Sequence, residues 1–234
     1  MNNFIAGIFL ILCVACTVTN SGDKVTGHKD VDSILLELKE NSNQSLLFTP
    51  LENNEAFSDY SDFNKTDTSK ALVFSDSISI FTDKNNTVTF RNSSADVDVT
   101  SAEKYSYKGY DSKTNFHWIV KERYEDAEDI LVDQKNGKTT KVSNNPVGNS
   151  SGTMFFTKQN QCFLVFEDCS PGFQLWKVLN GELKLMQEVH LKNYFIVDGG
   201  WTSSGKLIVE VASIKEFMNT GKTSSAKKYE LILK

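Results

Sequence analysis

With 234 residues, 39% hydrophobic and 11% aromatic, the chain can bury one sizeable core, and its three prolines and thirteen glycines exclude collagen-like or low-complexity character. The formal charge is −5 and the 25 Lys+Arg are scattered rather than clustered. There is no electrostatic footprint for nucleic acid, and no nucleic-acid partner is expected.

Residues 4–15 form an uninterrupted apolar run of twelve residues. That is too short to span a bilayer as a helix and the right size for the apolar core of a secretory signal, so residues 1–15 are expected to be removed. Cys13-Val14-Ala15-Cys16 closes the run. Small residues before a cysteine resemble the lipobox of bacterial lipoproteins: Val14 and Ala15 stand at the two positions before the lipidated residue, and Cys13 stands where that family usually carries leucine. The resemblance covers the first sixteen residues. It implies lipidation at Cys16 and a membrane-anchored protein of the bacterial cell envelope, facing the periplasm or the cell surface. Residues 16–29 are polar and read as a lipidated tether, which leaves 30–234 as a single β-rich domain.

A secreted glycoprotein is the competing origin, because Asn43, Asn64, Asn85, Asn92 and Asn149 sit in Asn-x-Ser/Thr. That number is close to what the Asn, Ser and Thr content places by chance. With Cys13 removed and Cys16 lipidated, Cys162 and Cys169 remain. Along an extended strand they would stand about 23 Å apart, beyond the reach of a disulfide, so two free thiols are expected.

Val31, Ile34, Leu35 and Leu38 follow the spacing of one helical face, which predicts a short amphipathic helix over 30–40, capped by Asp30 with Lys39 near its end and packed against a sheet. Residues 41–69 read as loop with one strand around 46–50. From Lys70 onward the pattern is β. Residues 71–90 give two strands and a return strand around an Asp-Lys-Asn-Asn turn, 95–101 alternate, and 104–142 supply three strands with Asn136-Gly137 at the last hairpin tip.

One unit of turn and strand occurs twice, at 149–157 (NSSGTMFFT) and 202–210 (TSSGKLIVE). Between them Asn180-Gly181 is a two-residue hairpin signal. Tyr229 begins a closing strand. The spacing of the Asn-containing hairpin tips and the turn, Ser, Gly, Lys, apolar pattern over 70–234 resemble the repeats of bacterial β-propeller-like proteins. The fold class read from this is all-β, an antiparallel meander with propeller-like repeats and one short N-terminal helix; a β-sandwich is the alternative.

No constellation in the sequence specifies chemistry. Neither HExxH nor His-x-His occurs, and neither a metal site nor a catalytic residue is expected, and no cofactor. His117, between Phe116 and Trp118, reads as a half-buried sheet residue. Glu125, Asp126, Glu128 and Asp129 read as an acidic loop able to offer oxygen ligands to Ca²⁺, although neither DKNNTV nor DQKNGK has the spacing of a calcium loop. Tyr105 and Tyr107 share a strand face with Tyr110 nearby, and this trio is the candidate ligand-binding set, since rings can stack on sugars or grip a partner. The three tryptophans read as sheet core. The function expected is a non-enzymatic binding or assembly module for protein or glycan. The alternative is an envelope hydrolase of glycan or peptide using the 125–129 carboxylates or Asp96 and Asp98.

Overall fold

The computed structural model describes residues 28–42, 46–51, 69–94, 98–124, 127–159 and 171–233. The leader, Cys16 and the tether to residue 27, Asp96, Glu125, Asp126, Asn43, Asn64 and the pair Cys162 and Cys169 lie outside these residues.

The chain is all-β and antiparallel, with two helices. In order the elements are α1 (His28–Glu40), β1 (Leu46–Pro50), β2 (Ala71–Val73), β3 (Ser77–Phe81), β4 (Thr87–Arg91), β5 (Lys104–Asp111), β6 (Phe116–Glu122), β7 (Ala127–Asp133) and β8 (Thr139–Val142). There follow β9 (Asn144–Gly148), β10 (Met154–Gln159), β11 (Gly172–Leu179), β12 (Glu182–His190), β13 (Tyr194–Trp201), β14 (Leu207–Ser213), α2 (Ile214–Thr220) and β15 (Lys227–Leu233). The strands make four sheets, ordered β2-β3-β4, β5-β6-β7-β8, β9-β10-β11-β12 and β13-β14-β15-β1. Three follow the chain. The fourth takes its outer strand from the N-terminal side, Leu46 pairing with Leu233 and Pro50 with Tyr229.

Neighbouring sheets pack face to face. Ala71, Ile78 and Ile80 of the first sheet meet Ile119, Ile130 and Val132 of the second. Phe116, Leu131 and Val142 of the second meet Phe155, Trp176 and Leu183 of the third. Phe156, Phe173 and Leu175 on the opposite face of the third meet Ile196, Val209, Tyr229 and Leu231 of the fourth, joined by Ile34 and Leu38 of α1. Successive strand residues point to opposite faces, so Phe155 and Phe156 enter two different cores. This is why β10 reads as a continuous apolar run rather than an alternation.

Among the described residues no core joins the fourth sheet to the first, and no closed barrel or propeller is detected. The propeller-like expectation is corrected to that extent: the repeats are there as four meandering sheets, and closure is not.

Four local readings change. Helix α1 begins at His28, so Asp30 lies in its first turn rather than capping it. The 104–142 stretch forms four strands, not three. Val99–Ser101 is a 3-10 turn, where alternation predicted a strand. A second helix, α2, interrupts the last sheet: the Ser213 side chain accepts from Glu216 N and Gly221 ends the helix at φ 66. Ser-x-x-Glu followed by a left-handed Gly is a cap pair that the sequence displayed.

Helix α1 is fixed by its predicted apolar face, with Ile34 and Leu38 buried and Leu35 partly so. Its polar side adds a clamp. Glu37, 8% exposed, accepts from the backbone N–H of Lys192 and of Asn193 (3.0 Å) and from Asn193 Nδ2 (2.7 Å). The carboxylate therefore holds the β12–β13 connection to the helix, and the Ser33 hydroxyl meets Tyr194 OH at 2.7 Å beside it.

Candidate functional site

The three tyrosines lie on one face, and a bulge puts them there. Tyr105 pairs with Lys121 and Tyr107 with Ile119; the register then shifts, so that Tyr110 pairs with His117. Tyr110 lies three positions on from Tyr107, an odd offset that would send them to opposite faces of a regular strand. The extra residue at Lys108 restores the common face. That face looks toward the first sheet, and its polar groups are taken up there.

His117 is fully buried, where half-burial was expected. Its Nε2 lies 2.5 Å from Gln134 Oε1, and Gln134 Nε2 donates to Phe81 O (2.8 Å) and to Asp83 Oδ1 (2.9 Å). Because that amide nitrogen already donates twice, Gln134 Oε1 is the acceptor, which assigns the proton to Nε2 and leaves Nδ1 to accept from Tyr107 OH at 2.9 Å. Tyr110 donates to Asn115 Oδ1 (2.5 Å) and accepts from Lys70 Nζ (3.1 Å), whose ammonium also stands 4.6 Å from the ring centroid. Tyr105 donates to Glu103 Oε2 at 3.0 Å, while Glu103 Oε1 takes Lys121 at 2.5 Å. The Lys121 hydrogen bond heads the causes that hold the Glu103 carboxyl below its ordinary range. The trio thus ties the first sheet to the second.

The acidic stretch is not a loop where it is described. Glu128 and Asp129 belong to β7 and, as neighbours on a strand, point to opposite faces. Asp129 accepts from Trp118 Nε1 (2.5 Å) and Asn145 N (2.9 Å), and Glu128 pairs with Lys141 at 2.9 Å. Burial pushes the Asp129 carboxyl above its usual range. These two carboxylates do not converge on one substrate. Asp98 is exposed and accepts from Thr100 Oγ1 at 3.0 Å. Among the described residues no group of three His, Cys, Asp or Glu is placed to hold a metal ion. Of the tryptophans, Trp176 and Trp201 are core and Trp118 is half-buried.

What the chain does assemble at one end is a set of hairpin connections. Asp111-Ser112-Lys113-Thr114-Asn115 and Asp133-Gln134-Lys135-Asn136-Gly137 are the same loop twice. In each, Asp Oδ1 accepts from the backbone N–H of the lysine two residues on, at 2.9 and 2.8 Å. In each, the backbone carbonyl of the Asp accepts from a left-handed residue four on, Asn115 or Gly137, at 2.8 Å. The sequence signal was Asp-x-Lys ending in Asn or Gly. The connections interlock. Asp83 N donates to Gln134 O (2.9 Å) and Gln134 N to Asn115 O (3.0 Å), while Lys138 reaches Glu182 (3.3 Å). Gly152 sits against Lys113: an added Cβ would stand 2.6 Å from the Lys113 carbonyl carbon. One contiguous face results, made by the connections β3–β4, β5–β6, β7–β8, β9–β10 and β11–β12. Helix α1 is clamped at the other end of the strands, beside the β12–β13 connection.

Asp133 is 3% exposed and its Oδ2 has no hydrogen-bond partner among the described residues. Burial is the largest influence and raises its carboxyl above the usual range, against the lowering effect of the Lys135 N–H. A raised folded-state value means the group's contribution to stability is complete below the unfolded value and is lost as pH rises through the folded one. Asp133→Asn, which cannot ionise, is therefore expected to be more stable than the parent at neutral pH. The gain should disappear in acid, and denaturation midpoints from pH 3 to 8 decide it: parallel profiles would contradict the assignment.

No protein-family model matches the chain, and neither a curated protein nor a solved structure matches it.

Proposed function

We propose that the protein is a cell-envelope lipoprotein, anchored through Cys16, that acts as a non-enzymatic binding or assembly module for protein or glycan. The observation that carries the binding reading is the contiguous face of hairpin connections, held rigid from behind by the Tyr107–His117–Gln134 chain. Polar connections on a rigid strand scaffold are the usual place for recognition. The anchor reading comes from Cys13-Val14-Ala15-Cys16 and agrees with the position of α1. Eleven residues lie between Cys16 and His28, so the tether is twelve steps long and reaches at most about 43 Å. Such a tether would join the bilayer to the α1 end and is long enough to leave the connections accessible to a partner.

Metabolic labelling with an acyl probe and membrane fractionation, comparing the parent with Cys16→Ser, tests the anchor. Label and membrane association should both vanish in the variant. A parent that is soluble and unlabelled would overturn the lipoprotein reading.

A further inference from the structure

We infer that the end of the strands that carries α1 seats on the surface of a lipid bilayer, which rests on the lipoprotein reading and gives the anchored domain an orientation. The most exposed apolar side chains gather at that end. Leu36, Val73, Phe74, Tyr124 and Met218 are 53–65% exposed, and no other large apolar side chain among the described residues exceeds 45%. In an antiparallel meander successive connections fall at alternate ends. With β3–β4, β5–β6 and β11–β12 at one end, the β2–β3 connection with Val73 and Phe74, the β6–β7 connection with Tyr124, and α2 with Met218 all fall at the other. Hydrogen bonds hold them there in two groups. Asn92 donates from its backbone N–H to Asp76 O (2.8 Å) and from Nδ2 to Ser75 O (3.2 Å), Ser93 N donates to Glu103 O (2.9 Å), and Glu103 takes Arg123 at 3.3 Å, beside Tyr124. Glu37 holds Lys192 and Asn193, and Ile214 N donates to Asn193 O at 3.0 Å, which fixes the start of α2. Leu36 stands on the side of α1 opposite Ile34 and Leu38.

The chain ahead of α1 indicates what meets these side chains. Cys16 stands eleven residues before His28, where α1 begins, so a lipidated Cys16 keeps this end within about 43 Å of the bilayer. The contact is then intramolecular in effect, and a weak insertion suffices. Bulky tips on separate connections suit a fluid surface that each enters by itself, whereas a protein partner is met by a contiguous packed patch. Tyr124 follows Arg123, and Met218 lies between exposed Lys215 and Lys222, an apolar body beside a cationic stem, as at a membrane–water boundary. Exposed Glu40, Asp76 and Asp98 stand at the same end. Net charge therefore does not select the surface, and the expected partner is a neutral phospholipid bilayer entered by apolar side chains.

The test introduces tryptophan at the tips of the full chain on vesicles of phosphatidylcholine, plain or brominated along its acyl chains, where bromine quenches a ring that enters the bilayer. Phe74→Trp, Tyr124→Trp and Met218→Trp should each lose at least about half of the emission added over the parent on brominated vesicles, and the loss should persist at high salt. Phe81→Trp, exposed at the opposite end, should lose none. Thermal midpoints matching the parent establish that the variants are folded. Equal quenching at all four positions would overturn the inference. So would its absence at the three tips, which would leave them to a protein partner. The outcome is separate from the anchor. An acyl-labelled chain that floats with the vesicles unquenched refutes only the seating, and an unlabelled chain that floats and is quenched only at the tips refutes only the lipoprotein reading. An unlabelled chain that stays off the vesicles refutes both.

Discussion

Gly152→Ala is expected to lower the unfolding free energy by about 3–5 kcal/mol, whereas Gly205→Ala should cost only about 1–2 kcal/mol. The two glycines occupy the same position in the repeated Ser-Ser-Gly turn and have similar backbone angles, φ 67 and φ 81. Each therefore carries the strain of a left-handed residue with a Cβ. Their surroundings differ. At Gly205 an added Cβ meets nothing within 4 Å, whereas at Gly152 it would press into the Lys113 carbonyl and stand 3.1 Å from Thr114 N. Backbone on both sides cannot give way without shifting the β5–β6 loop, where Asp111 and Asn115 are hydrogen-bonded. Urea titration of both variants measures the difference. Equal losses would mean that the second and third sheets are not interlocked through these turns.

Glu37→Ala should destabilise the protein by about 3 kcal/mol, and Glu37→Gln by roughly half of that. Removing the carboxylate takes the acceptor from two part-buried backbone N–H groups and the Asn193 amide, while glutamine retains one acceptor for them. The consequence extends beyond α1. The helix leads into β1, which supplies the outer strand of the fourth sheet and places Leu46 and Phe48 in its core. Faster amide exchange in β1 and β15 should accompany the loss of stability in Glu37→Ala. Unchanged exchange there would show that α1 and β1 hold independently.

Much of this was legible in the residues, and the parts that were not have physical causes. The two Ser-Ser-Gly units, the Asn180-Gly181 hairpin and the closing strand at Tyr229 form as their turn chemistry dictates, because short hairpins are set by local backbone angles. Asn180 and Gly181 both have positive φ, 55 and 78, as a two-residue turn of this type requires. Asn136-Gly137 also lies at a hairpin tip, but in a four-residue connection with only Gly137 left-handed. The tyrosine face was half legible: Tyr105 and Tyr107 follow from alternation, but Tyr110 joins them through a bulge that periodicity cannot announce. Charge composition marked Glu128 as loop, where burial of Ile130, Leu131 and Val132 in two cores draws the whole segment into a strand. Glu37 was read only as part of a polar helix face; its partners lie 155 and 156 residues away. The Asp-x-Lys repeat was visible in the sequence, but the burial of its two carboxylates depends on the fold.

The measurement that bears most directly on the account is amide hydrogen exchange by mass spectrometry on the full chain, comparing the parent with Gln134→Ala, which removes the side chain that joins His117 to Phe81 and Asp83. The account predicts faster exchange in the variant confined to the connections at 83–86, 112–115 and 134–138, with α1 and the β12–β13 connection unchanged. Unchanged exchange in those connections, or a change spread evenly over the chain, would contradict it.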